Sequence, residues 1–235
     1  MRYFILFLAV CHSTISQAQD ITAQQLLDKT IAFHDPNGIW KTFDGEFKVL
    51  METPNSSDRL STITLNIPKQ YFQLLVEKDG VSYSYAFDKG NCITTLNGST
   101  DISDEDRKTY RLTCDRGEMM KNYYTYLYGL PMKLKDPGTL LHDKVQKKTF
   151  KGKEYLVLKV TYDEKVGSDV WYFYFDPKTY AMEVYQFYHD ESKNDGEYIL
   201  LEGLEEINGI QMPKTRAWYM NKDDKYLGTD ILTKS

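Results

Sequence analysis

The chain has 235 residues and a mass of 27.5 kDa; 41% of the residues are hydrophobic, 27% charged and 14% aromatic. That mixture excludes a disordered chain, a collagen and a polytopic membrane protein. The net charge of −5 and the pI near 5.5 leave no basic footprint for nucleic acid.

The N-terminus reads as a targeting signal. Arg2 supplies a positive start, residues 3–10 (YFILFLAV) an apolar run, and Ser16-Gln17-Ala18 a small-x-small cleavage site. The run is far shorter than the ~20 apolar residues a membrane-spanning helix needs. The expected organisation is therefore a signal peptide over residues 1–18 and a single exported domain over 19–235, in the periplasm or at the outer membrane. Leu8-Ala9-Val10-Cys11 also has the outline of a lipoprotein-processing site. Val10 is too large for the position before the cysteine, so acylation of Cys11 is not expected.

The first helix opens at Ile21. Thr22 caps its first turn, Gln25 reaches back to the cap, and Ile21 with Leu26 forms a hydrophobic staple. Leu26, Leu27, Ile31 and Phe33 make its apolar stripe, and Asp35-Pro36-Asn37-Gly38 ends it. The hydrophobic period then changes from 3.6 to 2. Residues 43–52, 59–67, 71–78 and 81–88 read as strands separated by short turns, which implies antiparallel hairpins. Residues 92–97 form one further short strand.

Two inserted helices follow. Ser103 starts a short one with acidic residues in its first turn. A longer one begins near Asp115 and runs to about Tyr128, stopped by Gly129 and Pro131. Its Met119, Met120, Tyr123, Tyr126, Leu127 and Leu130 form a wide apolar stripe. Strands return from Lys144, most clearly over 154–162, 169–175, 181–189, 197–206, 210–220 and 226–233. The fold class is mainly β (α+β): a curled antiparallel sheet, or half-barrel, of about eleven strands with an N-terminal helix and two inserted helices. A sheet that large does not stay flat.

Two cysteines remain after export, Cys92 and Cys114. In an oxidising compartment they are a candidate disulfide closing a 22-residue separation; the alternative is two buried thiols. They and the scattered His34, His142 and His189 make no zinc pattern, and neither metal nor cofactor is expected.

Trp171, Phe173 and Phe175 share one strand face, while Val170, Tyr172 and Tyr174 share the other. On the next strand Tyr185 and Phe187 oppose Met182, Val184 and Tyr188, and Trp218 and Met220 share a face further on. Both sides of the sheet are thus aromatic, which requires either helices or a cavity over the second side. A half-barrel with helices across its mouth supplies a hollow for an acyl chain or another greasy ligand. The candidate lining residues are Met119, Tyr123, Tyr126, Leu130, Trp171, Phe173, Tyr185, Phe187 and Trp218. A core filled by side chains is the alternative.

Four stretches carry a resemblance: HDPNGIW (34–40), YYTYLYGLPMKLKDPG (123–138), WYFYFDPKTYAMEVYQFY (171–188) and INGIQMPK (207–214). They resemble an uncharacterised family of exported bacterial proteins. The order of elements is similar to the outer-membrane lipoprotein carrier and sorting superfamily. That resemblance implies a half-barrel that binds lipid-modified or other hydrophobic ligands in the cell envelope. The carriers' cavity arginine has no counterpart in 43–52, and Arg59 stands at the start of the next strand.

Enzyme signatures are absent: there is no G-x-S-x-G, P-loop, G-x-G-x-x-G or H-E-x-x-H. His34-Asp35 could orient an imidazole for general-base work, but the reading adopted is a helix-end histidine followed by a turn-forming Asp-Pro. His189-Asp190 reads as an exposed hairpin end. The acidic run 101–106 and the 222–225 cluster read as solvated charge or a protein-docking face. The function expected is non-catalytic binding or carriage of a hydrophobic or lipidic ligand. An envelope interaction module with a protein partner comes second and a hydrolase third.

Overall fold

The structure, a computed structural model, describes residues 21–234. The proposed signal peptide and Cys11 lie outside the described residues.

Helix α1 (Ala23–His34) has the expected capping box, with Thr22 and Gln25 bonding each other's backbone N–H groups. A short 3-10 turn, Trp40–Thr42, leads to the first strands. These are β1 (Asp44–Thr53), β2 (Ser56–Asn66), β3 (Tyr71–Lys78), β4 (Val81–Asp88) and β5 (Asn91–Leu96). Then come α2 (Asp104–Thr109) and α3 (Cys114–Gly129), capped by Ser103 and Thr113. The remaining strands are β6 (Thr139–Leu141), β7 (Gln146–Phe150), β8 (Lys153–Tyr162), β9 (Val170–Phe175), β10 (Met182–Tyr188), β11 (Glu197–Ile207), β12 (Ile210–Met220) and β13 (Tyr226–Lys234). Tight hairpins join neighbours. At Asp79-Gly80 and Asn208-Gly209 both residues take positive φ, the paired left-handed geometry of a two-residue turn whose twist matches the strands.

All thirteen strands belong to one antiparallel sheet in the order β5-β4-β3-β2-β1-β13-β12-β11-β10-β9-β8-β6, with β7 also paired to β8. The expected eleven strands become thirteen because β6 and β7 are short. β7, with Lys147 and Lys148, reads as a polar connection. The N-terminal and C-terminal meanders join where β1 pairs with β13.

The sheet is curled, and α3 measures the curl. A disulfide ties Cys114, the first residue of α3, to Cys92 on β5, and Tyr126 of α3 bonds Tyr162 on β8. In a flat sheet those strands would stand ten inter-strand steps apart, about 48 Å. The stretch of α3 between the two contacts is only about 18 Å long. The sheet must therefore bring its two ends toward each other, and α3 crosses the mouth from one end to the other.

One hydrophobic core fills the helix-covered face. Phe47, Ile63, Phe72, Leu74 and Tyr85 come from the first meander, Leu158, Phe173, Phe175, Tyr185, Ile199 and Leu232 from the second. Leu26 and Leu27 of α1 and Tyr124, Leu127 and Tyr128 of α3 cover them. Gly129 lets α3 end against Trp40: a Cβ there would stand 2.3 Å from the indole.

The other face departs from expectation: among the described residues no α-helix packs on its cluster. Tyr155, Val157, Tyr172, Tyr174 and Val184 form a thin cluster beneath Phe150 of β7. Lysine stems lie across the rings, with Lys148 4.0 Å from the centre of Tyr172 and Lys151 4.9 Å from that of Tyr198. The tyrosine hydroxyls donate to Glu191, Gln186 and Asp224. An aromatic strand face can thus meet water through hydroxyls and cations. Met182 also departs from the alternation. The register shifts between Met182 and Val184, which returns Met182 to the core with Tyr185.

Candidate functional site

The helix α3 has two aromatic faces. Tyr124, Leu127 and Tyr128 point into the core, whereas Met119 (48% exposed) and Tyr123 (37% exposed) point outward. The stripe read from the sequence is split between them: Met119 and Tyr123 are outward, Met120 and Tyr126 are half-buried, and Leu127 and Leu130 belong to the core. Along the outward face, between α3, the segment from Lys133 to Thr139 and the β8–β9 loop, runs a cleft of about 710 Å3. That volume lies in the usual range for small-molecule sites.

Met119, Tyr123, Tyr126 and Trp171 line this cleft together with Tyr162, Pro137 and Val166. Tyr126 packs edge-on against Trp171, and its hydroxyl bonds that of Tyr162. Burial pushes the Tyr162 phenol up to about 12, so this wall stays neutral at physiological pH. Lys133 pairs with Asp136 at the rim, and Asp169 pairs with His189 at 2.7 Å. The other expected lining residues lie behind this wall. Leu130, Phe173 and Tyr185 are buried in the core, and Phe187 and Trp218 pack against it. Trp171 stacks on Phe173 and Phe187, while Trp218 stacks on Tyr123, so core and cleft share aromatic walls.

Beneath α3 lies a buried polar cluster that strand patterning does not reveal. Arg216 is 1% exposed; its guanidinium lies 3.9 Å from the centre of the Tyr128 ring, and Nη1 donates to the Pro213 carbonyl at 2.9 Å. Asp230, its cross-strand partner, accepts from Trp218 Nε1 at 3.2 Å. Burial raises the Asp230 pKa, opposed by Arg216 and Arg59. Arg59 reaches the Tyr124 hydroxyl at 3.4 Å, and that hydroxyl donates to Ser61. Among the described residues, the Nε atoms of Arg59 and Arg216 and the hydroxyls of Tyr128 and Tyr185 have no protein partner. The available signal was parity: Arg216 stands two residues before Trp218 and shares its strand face.

His34 has a structural post. Its Nδ1 donates to the Gln211 carbonyl at 2.6 Å and its Nε2 accepts from the Met182 N–H at 3.0 Å, so both ring nitrogens serve backbone. Burial lowers its pKa to about 4. Asp35 does not touch that ring through its carboxylate; it accepts instead from the N–H groups of Ile39 and Trp40. Asp190 caps the 3-10 turn Glu191–Lys193. Among the described residues, no helix is long and apolar enough to cross a membrane, and no three His, Cys, Asp or Glu side chains gather as metal ligands.

Fold and site together define an open antiparallel half-barrel, packed inside, with a helix across its mouth and an aromatic cleft along that helix. The chain belongs to the family of unknown function DUF6503, whose model matches residues 1–234. No curated protein matches it. Among solved structures it is similar to a LolA superfamily protein from Nitrosomonas europaea, with 12% identity, TM-score 0.49, and coverage of 91% of this chain and 92% of that one. It is also similar to a putative outer membrane lipoprotein-sorting protein domain from Vibrio parahaemolyticus (14%, TM-score 0.46, 91% of each chain). A third similar structure is a DUF1329 family protein from Desulfovibrio piger (11%, TM-score 0.48, 90% of this chain and 91% of that one).

Proposed function

We propose that this protein binds a hydrophobic or lipid-like ligand without catalysing a reaction, and does so in the cell envelope. The observation that carries this reading is the cleft of about 710 Å3 lined by exposed Met119 and Tyr123 and by half-buried Tyr126 and Trp171. Large apolar side chains lining a concavity open to water are costly unless a guest covers them. The core behind them is filled, so the guest lies along α3 and not in a hollow barrel. A non-catalytic role accords with His34, which is 0% exposed and holds two backbone groups. Export rests on the signal-like residues 1–18, and N-terminal sequencing of the protein recovered from the periplasm should begin at Gln19.

Native mass spectrometry after gentle extraction is expected to find a co-purified lipid. Fatty acids should displace a hydrophobic dye, and Trp171→Ala should weaken that displacement about tenfold by removing one aromatic wall. A ligand-free mass together with undisplaced dye would end this reading. The tyrosine and lysine face over β8–β11 favours a second reading, an envelope protein partner docked there. Crosslinks from Lys148 and Lys151 to one reproducible partner would support it.

A further inference from the structure

The outward stripe of α3 continues past the apolar cleft into a basic recess. Arg107, Lys108, Arg111 and Arg116 surround a volume of about 440 Å3 with Thr113, Asp115 and Met119. Four cations thus face one carboxylate. None of the four joins the ion pairs found among the described residues, whereas Lys121, Lys151, Lys153 and Lys159 all do. The acidic first turn of α2 (Asp104, Glu105 and Asp106) does not line the recess. The recess therefore carries an excess of positive charge, with Asp115 its one lining carboxylate, beside the N-terminal end of α3.

Met119 lines both the recess and the cleft. Arg116, Met119, Tyr123 and Tyr126 follow one another at helical spacing, so they form a single stripe about 15 Å long. One end of the stripe is cationic and the other aromatic. We propose that the ligand is an anionic amphiphile, its acyl chain laid along Tyr123, Tyr126 and Trp171 and its carboxylate or phosphate head held by Lys108, Arg111 and Arg116. This rests on the cleft being the apolar binding site and adds the polarity and direction of the guest. Arg107 takes a supporting part, since its guanidinium bonds Thr94 Oγ1 at 3.3 Å and the Leu112 carbonyl at 3.5 Å and so fixes the recess wall.

Titrations with dodecanoate, dodecyl maltoside and dodecyltrimethylammonium below their micellar concentrations, followed by tryptophan fluorescence, test the proposal. Dodecanoate should bind about tenfold tighter than the maltoside, and the cationic probe should bind weakest. Salt should shrink that preference. Lys108→Gln/Arg116→Gln should abolish it while leaving maltoside affinity and thermal unfolding unchanged; Arg111→Gln, outside any helix, is the second variant and should halve the preference or more. Equal affinity for the three probes, or a preference that survives in both variants, overturns the proposal while the cleft reading stands. Acetate or inorganic phosphate binding as tightly as dodecanoate would make the recess a free-anion site and overturn it too. Failure of every dodecyl probe removes the cleft reading and this inference with it.

Discussion

At His34 the folded chain holds an imidazole that gives up its own proton chemistry to hold α1 on the sheet. Its pKa falls from 6.5 to about 4, so the unfolded chain binds the proton first. The stability due to this group is complete above about pH 6.5 and is lost as the pH falls toward 4, at most about 3 kcal/mol. Urea midpoints at pH 7 and pH 4.5 should differ less in His34→Gln than in the parent, and the variant should already be less stable at pH 7. Arg216 poses the opposite problem, a permanent charge in the core. Arg216→Met leaves buried Asp230 with Arg59 as its remaining neighbouring cation and should cost about 3 kcal/mol. Arg216→Met/Asp230→Leu should recover part of that, as chemical denaturation of the two variants and the parent would show. Sequence reading finds the Thr22 cap because its signal is local, within four residues. It misses Arg216 and Asp230 because a lone charge in a strand is ordinarily a solvent-facing one. Only the pairing of β12 with β13 brings the two opposite each other.

The helix α3 is positioned by covalent and steric devices at its two ends. At its start the Cys92–Cys114 bridge, with Cα atoms 5.9 Å apart, ties it to the edge strand β5. Closing a loop of this length restricts the unfolded chain, so Cys92→Ser/Cys114→Ser should lose about 3 kcal/mol, read as a lower thermal midpoint without reductant. At its end Gly129 lies under Trp40. Gly129→Ala drives a methyl into the indole and should cost about 1–3 kcal/mol, with a changed Trp40 emission marking the displaced ring. The extent of this helix was legible from its acidic start near Asp115 and from Gly129 and Pro131 at its end. Which of its two aromatic faces meets the core was not, because tyrosine suits either side. Tyr124 buries its hydroxyl on Ser61, whereas Tyr123 stays outside. β6 and β7 escaped because three residues and a lysine-rich five carry too little periodicity. The bulge at Glu183 moved Met182 for a reason that alternation alone cannot encode.

At the scale of the whole molecule, the antiparallel hairpins and the inserted helices follow from turn chemistry and period, so architecture was largely readable. The cleft was readable only in part. Met119, Tyr123, Tyr126 and Trp171 meet there because α3 spans a curled sheet, and curl depends on packing between strands far apart in sequence. The seam between β1 and β13 is the longest-range pairing of all, joining Phe47 to Lys234. It is the one join that makes two consecutive ribbons into a continuous wall. That join can form only after residues 226–234 have been added to the chain, and a variant without them would leave the edges of β1 and β12 bare. The continuity of the wall thus hangs on its most distant partners, and a copy without β13 would present bare strand edges to proteases and to other chains.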